Sequence, residues 1–144
     1  MQRSQSWSGV MSEPAAYTVA SREDARDFMA GYPGYGEQRW YTSALAAEEV
    51  SFSWRRMLPK TGGRGSYGHR HPGQEEVYFV ISGVVTFKID DDVFEARPQM
   101  AVRVGGDAFR SVHNDTDEEA QLLIFSPRLE DPPTEFQNDF WASA

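Results

Sequence analysis

The chain has 144 residues, 40% hydrophobic and 13% aromatic, with 14 Lys and Arg against 22 Asp and Glu and a formal net charge of -8. That is one domain's length with enough apolar surface for a core, and the acidic balance excludes a nucleic-acid or anionic-membrane surface, which needs clustered basic residues. The absence of cysteine rules out disulfides, thiolate metal sites and a cysteine nucleophile.

Residues 1–16 are rich in Ser and Gln and are expected to be a poorly ordered tail, with Met11 as plausible a start as Met1. No run reaches membrane-spanning length and no apolar leader opens the chain, so a cytoplasmic protein is expected. Ser21-Arg-Glu-Asp24 reads as a helix entry, a Ser cap with acids in the first turn. The helix is expected to run to about Met29 and stop at Gly31, ahead of Pro33-Gly34. From Gln38 to Ala44 β structure begins.

The segment 50–58 alternates on Phe52, Trp54, Arg56 and Leu58, a strand signature. Those side chains share one face, either interior or a subunit contact. Arg55 and Arg103 are expected to face solvent or make structural pairs. A glycine-rich loop, 59–68, does not follow a strand in a phosphate-binding pattern and reads as a flexible approach to the next strand. Strands are predicted at 76–81 and 84–89 around Gly83, at 93–96, 101–104 and 121–125, with Asp90-Asp-Asp92 as a hairpin turn. Short strands at even spacing indicate an all-β barrel, its core at about 38–126 within a single domain of 17–144. The tail 127–144 is Pro-rich and acidic. Its Phe136, Phe140 and Trp141 either clamp it onto the barrel or serve a subunit contact.

The chemistry concentrates between Gly63 and Gly83. His69 and His71, one residue apart, lie on the same side of a strand because side chains alternate with period two. Glu76 follows five residues later and can turn back toward them. Two imidazoles and a carboxylate suit a borderline or hard divalent ion such as Fe, Mn, Ni or Zn. Gly63, five residues, His69-x-His71, four residues, Glu76, six residues, Gly83 resembles the first motif of the cupin superfamily. The resemblance implies a cupin-type double-stranded β-helix, a jelly-roll barrel preceded here by the short N-terminal helix, with the metal site inside. It also implies a small-molecule ligand or substrate as partner, and a homodimer.

The second cupin motif is degenerate. Aligning its Asn with Asn114 puts Gln99 at the first Gly, Gly105 at Pro, Asp107 at Gly and Arg110 at the last His. A guanidinium stays protonated and cannot ligate a cation. Arg110 therefore either pairs with Glu76 or anchors an anionic group of the substrate beside a metal held by three protein ligands. His113 is three residues on from Arg110, points outward in a regular strand, and reads as a surface histidine before a turn. Tyr78 shares the face of Glu76, and Tyr67 the parity of His69, so both are candidates to line the substrate cavity.

Two functions follow. One is a metal-dependent small-molecule enzyme of dioxygenase or isomerase type, with His69, His71 and Glu76 on the metal and Arg110, Tyr78 and Tyr67 toward the substrate. The other is a metal-free binding or regulatory protein in which Arg110 pairs with Glu76.

Overall fold

The computed structural model describes residues 15–143. Most of the expected N-terminal tail thus lies outside the described residues. The expected helix is reduced to a single 3-10 turn, Arg22–Asp24. Ser21 supplies the cap, its backbone N–H and its hydroxyl both donating to Asp24 Oδ2 at 2.9 and 3.1 Å. Tertiary pairing then overrides helix propensity. Strand β1 (Arg26–Asp27) pairs with β2 (Gly36–Trp40), and Asp27 Oδ1 accepts from the backbone N–H groups of Met29 and Gln38.

A one-turn helix, α1 (Tyr41–Leu45), ends on Ala46 in the left-handed conformation and leads into β3 (Val50–Met57). The chain continues through β4 (Gly68–Arg70), β5 (Glu76–Ser82), β6 (Val85–Ile89), β7 (Asp92–Ala96), β8 (Ala101–Val104), β9 (Arg110–His113), β10 (Ala120–Pro127) and β11 (Glu135–Gln137). It finishes in a 3-10 turn, Phe140–Ser143. No described helix is long and apolar enough to cross a membrane.

The strands form two antiparallel sheets, β1-β2-β3-β10-β5-β8 and β11-β4-β9-β6-β7. Asp90 and Asp91 make the tight β6–β7 turn expected of that acidic run, with Ile89 opposite Asp92. Gly83 (φ 74°) turns the chain between β5 and β6, where an added Cβ would sit 2.5 Å from the Glu119 carbonyl oxygen. Only glycine fits both demands there.

Between the sheets each strand changes character along its length. On β3 the inward series runs Met57, Arg55, Ser53; on β5 it runs Val80, Tyr78, Glu76; on β10 it runs Leu122, Ile124, Ser126. The apolar ends, with Val85, Phe87, Ala96, Val104, Val112 and Ala120, pack into one core, and Phe87 meets Tyr78 edge-on at 5.2 Å between centroids. The polar ends surround a cavity. Met57, Val80 and Leu122 are fully buried beneath it, so the floor of the cavity is the top of the core.

On strand β3, Phe52 and Trp54 share a face as expected, and of the two options it is not the interior: Phe52 stacks on Phe125 at 5.0 Å and meets Tyr41 at 5.3 Å on the outer side. Trp54 Nε1 donates to Gln121 Oε1 at 3.1 Å. Arg55, expected to face solvent or make a structural pair, instead lines the cavity. On the same outer face Glu37 is buried and gathers the guanidiniums of Arg22, Arg39 and Arg56.

The tail folds back onto its own sheet. β11 pairs with β4, setting Phe136 opposite His69. Phe140 and Trp141 are buried, and Trp141 Nε1 donates to Ser111 Oγ at 2.8 Å. The buried Lys88 ammonium lies 4.1 Å from the centroid of the Phe140 ring, and the Arg64 guanidinium 4.5 Å from that of Trp141.

Candidate metal centre and cavity

The loop before β4 is fixed by close packing. An added Cβ on Gly63 would collide with Ser111 Oγ, and Gly63 N–H donates to the Val112 carbonyl at 2.8 Å. The loop therefore runs tight along β9 and delivers the chain into β4, which is paired with Arg110 of β9 at His69. His69 and His71 lie with ring centroids 4.9 Å apart. Gln74, buried, donates to the Pro127 carbonyl at 2.7 Å and pins the turn that returns the chain to Glu76.

These elements bring together one ligand atom each from His69, His71 and Glu76, all within 4.8 Å of one another. It is the single such group among the described residues. Burial pushes the His69 imidazole down to about 4, helped by His71 and the nearby guanidiniums of Arg110 and Arg55. The ring is thus neutral at physiological pH, with a lone pair to give. His71 Nδ1 lies 3.1 Å from Thr134 Oγ1, while its Nε2 is 3.8 Å from Glu76 Oε2. In the tautomer whose Nδ1–H donates to Thr134, Nε2 is left bare on the side of the carboxylate, the orientation a ligating histidine needs.

The other oxygen of Glu76 is otherwise engaged. Tyr78 donates to Oε1 at 2.6 Å, and Arg110 Nε lies 3.9 Å from the same atom. Burial first, and then the Glu76 carboxylate, raise the Tyr78 phenol well above its ordinary pKa, so it remains a donor. The donor set fits a divalent cation on the side of Glu76 Oε2, with no fourth ligand among the described residues.

Arg110 occupies the second-motif histidine position. It has no exposed surface, and its Nη2 donates to the Gly105 carbonyl at 3.0 Å. Its Nε and Nη1 have no hydrogen-bond partner. Asn114, the residue aligned with that motif's Asn, is fully buried, donates through Nδ2 to the Glu118 and Leu58 carbonyls and accepts from Thr116. His113 is not the surface residue expected. It is buried on the far side of β9 beside Trp141, where its Nδ1 accepts from the Arg64 backbone N–H at 3.2 Å. Burial lowers its pKa.

The cavity holds about 720 Å³ and takes in His69, Glu76, Tyr78, Arg110, Arg55 and Tyr67. Tyr67 stands half exposed at the mouth, edge-on to Phe136 at 5.0 Å. Phe28, Tyr32, Tyr35 and Trp40 complete an aromatic rim. Sequence reasoning missed Thr134, Arg55 and Ser53. Thr134 sits in a tail with no strand periodicity; Arg55 and Ser53 were visible only as the polar parity of β3.

The Cupin domain family model matches residues 55–126, half of the chain. The chain belongs to the cupin family. No curated protein matches this cupin. Among solved structures it is similar to a cupin-superfamily sugar phosphate isomerase from Silicibacter pomeroyi DSS-3, with TM-score 0.68 and 18% identity over 83% of this chain and 81% of that one. It is also similar to the polyketide cyclase RemF from Streptomyces resistomycificus, with TM-score 0.65 and 17% identity over 85% of each chain. A third similar structure is KdgF from Halomonas sp., with TM-score 0.60 and 13% identity over 81% of this cupin and 97% of that chain. At these identities the likeness is one of fold.

Proposed function

We propose that this cupin is a divalent-metal-dependent enzyme of isomerase type acting on a small molecule held in the cavity. The observation that carries the reading is the division of the Glu76 carboxylate: Oε1 accepts from Tyr78, while Oε2 turns to His71 Nε2. His69 Nε2 or Nδ1, His71 Nε2 and Glu76 Oε2 would hold the ion. A bound divalent cation supplies Lewis-acid polarisation of a substrate oxygen.

The chain's own groups do the rest. Tyr78 holds the carboxylate in one rotamer and keeps its phenol proton. Thr134 fixes the ring of His71. The Met57, Val80 and Leu122 floor excludes water from below, and the aromatic rim contacts the body of the substrate. An isomerase needs no second substrate, and the activities named for similar structures, sugar phosphate isomerase and polyketide cyclase, agree with that choice. The two sheets serve as the halves of the jelly-roll barrel.

The metal-free alternative has one observation in its favour. Arg110 Nε and Nη1 lack acceptors, and Glu76 Oε1 is 3.9 Å away, so a small shift would close an ion pair. Elemental mass spectrometry on untagged protein separates the two. Near-stoichiometric metal, lost in His69→Ala, supports the enzyme reading. No uptake of Fe, Mn, Ni or Zn overturns it and leaves Arg110 as the partner of Glu76.

A further inference from the structure

Among the described residues, Arg55 is the one cavity arginine with neither a hydrogen bond nor an ion pair. Arg64 is held by Asp115 at 2.8 Å, and Arg110 lies beside Glu76. Arg55 makes no hydrogen bond or ion pair with any described residue. The titratable groups nearest to it in the cavity are Tyr78, Tyr67 and His69, and the one carboxylate in the lining, Glu76, is engaged by Tyr78 and His71. Leaving a guanidinium in a half-enclosed site without an acceptor costs stability. The cost is retained in a molecule that supplies acidic partners to most of its other arginines and carries a net charge of -8.

The neighbour on the same strand face is Ser53. It is buried, lines the cavity, and its hydroxyl has no hydrogen-bond partner among the described residues. Two residues apart on a strand, the two side chains project in parallel at about 7 Å spacing, on the sheet that faces His69 and two strands over from Glu76. With Arg64 balanced by Asp115, Arg55 and Arg110 stand against a single lining carboxylate, so the cavity is positive in a chain of net charge -8. A metal cation on the histidines would add to that excess.

We propose that Arg55 and Ser53 form an oxyanion subsite that fixes a carboxylate or phosphate group of the cavity's ligand. The guanidinium presents a planar fork to two oxygens of the anion, and the Ser53 hydroxyl donates to one of them. The ligand's uncharged body then lies toward the aromatic rim. The proposal rests on the cavity's being a small-molecule site, and it does not need the metal.

The test uses benzoate and phenyl phosphate as probes, titrated into the full chain by calorimetry and thermal shift, both metal-stripped and with Mn²⁺. At least one probe should bind, and Arg55→Gln should weaken it by about 10-fold or more, as loss of a charge-assisted fork requires. Ser53→Ala should weaken it about 3-fold, the share of one neutral hydrogen bond. Arg103→Gln, a surface control, should change nothing. The tighter probe identifies the anion as carboxylate or phosphate.

Without ligand, Arg55→Gln should melt at or above the wild-type temperature, because it removes an unanswered cation. A residue that merely held the fold would lower it. Arg55→Lys is the second variant, keeping the charge and losing the fork, and it too should bind more weakly. Equal affinity in wild type and Arg55→Gln, or no binding of either probe in either metal state, overturns the subsite. Mn²⁺ titration keeps the two readings apart. If wild type takes no Mn²⁺ yet binds a probe through Arg55, the metal-dependent function fails and the subsite stands.

Discussion

Glu76 has two oxygens with different company, and Arg110 is the reason its pocket has a cationic wall. Tyr78 and Arg110 address Oε1; His71 and the space beyond it address Oε2. A guanidinium beside a ligand carboxylate opposes a second cation through space. Arg110→His removes that opposition and adds a donor at the second-motif position. Metal affinity should therefore rise, by about 10-fold or more, as read by competition with a chelating dye. Thr134→Val leaves the fold and removes the hydroxyl that contacts His71 Nδ1, so metal affinity should drop about 10-fold. An unchanged affinity in Thr134→Val would show that His71 is oriented by packing alone.

At the scale of elements, β3 shows why the interior was hard to read. An amphipathic strand ordinarily turns its apolar parity inward. Here Phe52 and Trp54 face outward to Phe125, Tyr41 and Gln121, while Ser53 and Arg55 face the cavity. A binding chamber inverts the usual pattern, and a single strand offers nothing to reveal the inversion. The histidine strand was legible because its spacing is chemical, two imidazoles and a carboxylate in fixed register. β11 was not, because Glu135-Phe-Gln137 has no alternation and takes its strand geometry wholly from β4. The N-terminal helix failed for the same kind of reason, since pairing of β1 with β2 outweighs a good cap.

The Glu37 cluster between β2 and β3 sets an acid limit. Hydrogen bonds from Arg22 lead in holding its carboxyl at about 2, against an ordinary 4.5, with Arg39 and Arg56 adding to them. A lowered carboxyl pKa gives stability that is complete above pH 4.5 and fades as pH falls toward 2. The contribution is about 2 kcal/mol after screening of the partly exposed guanidiniums. In urea unfolding, Glu37→Gln should be less stable than wild type at pH 7, and the two should converge near pH 2. A constant gap across that window would refute the linkage. On the opposite sheet, Trp141→Ala should cost about 3 kcal/mol, from lost burial and the orphaned Ser111 hydroxyl, measured by the same method.

For the whole molecule, the division of the space between the sheets couples stability to occupancy. The apolar half supplies the fixed core, and the polar half is incomplete until something fills it. A cation at about 100 times its dissociation constant should add about 2.7 kcal/mol, a rise of roughly 5–10 °C in melting temperature. Chelator should reverse the rise, and His71→Ala should not show it.

The pairing of β11 with β4 also fixes an order of events in time. Arg70 meets Glu135 across 65 residues of chain, which take about 3–13 s to be made at usual rates of synthesis. Through that interval the histidine strand has only β9 as a possible neighbour, and its other edge lies open to any passing strand. Thr134 arrives late as well, so the ring of His71 is oriented only once the tail has docked. The centre is therefore assembled last. A messenger cut short before codon 134 would yield a chain with most of its barrel and an exposed, sticky histidine edge.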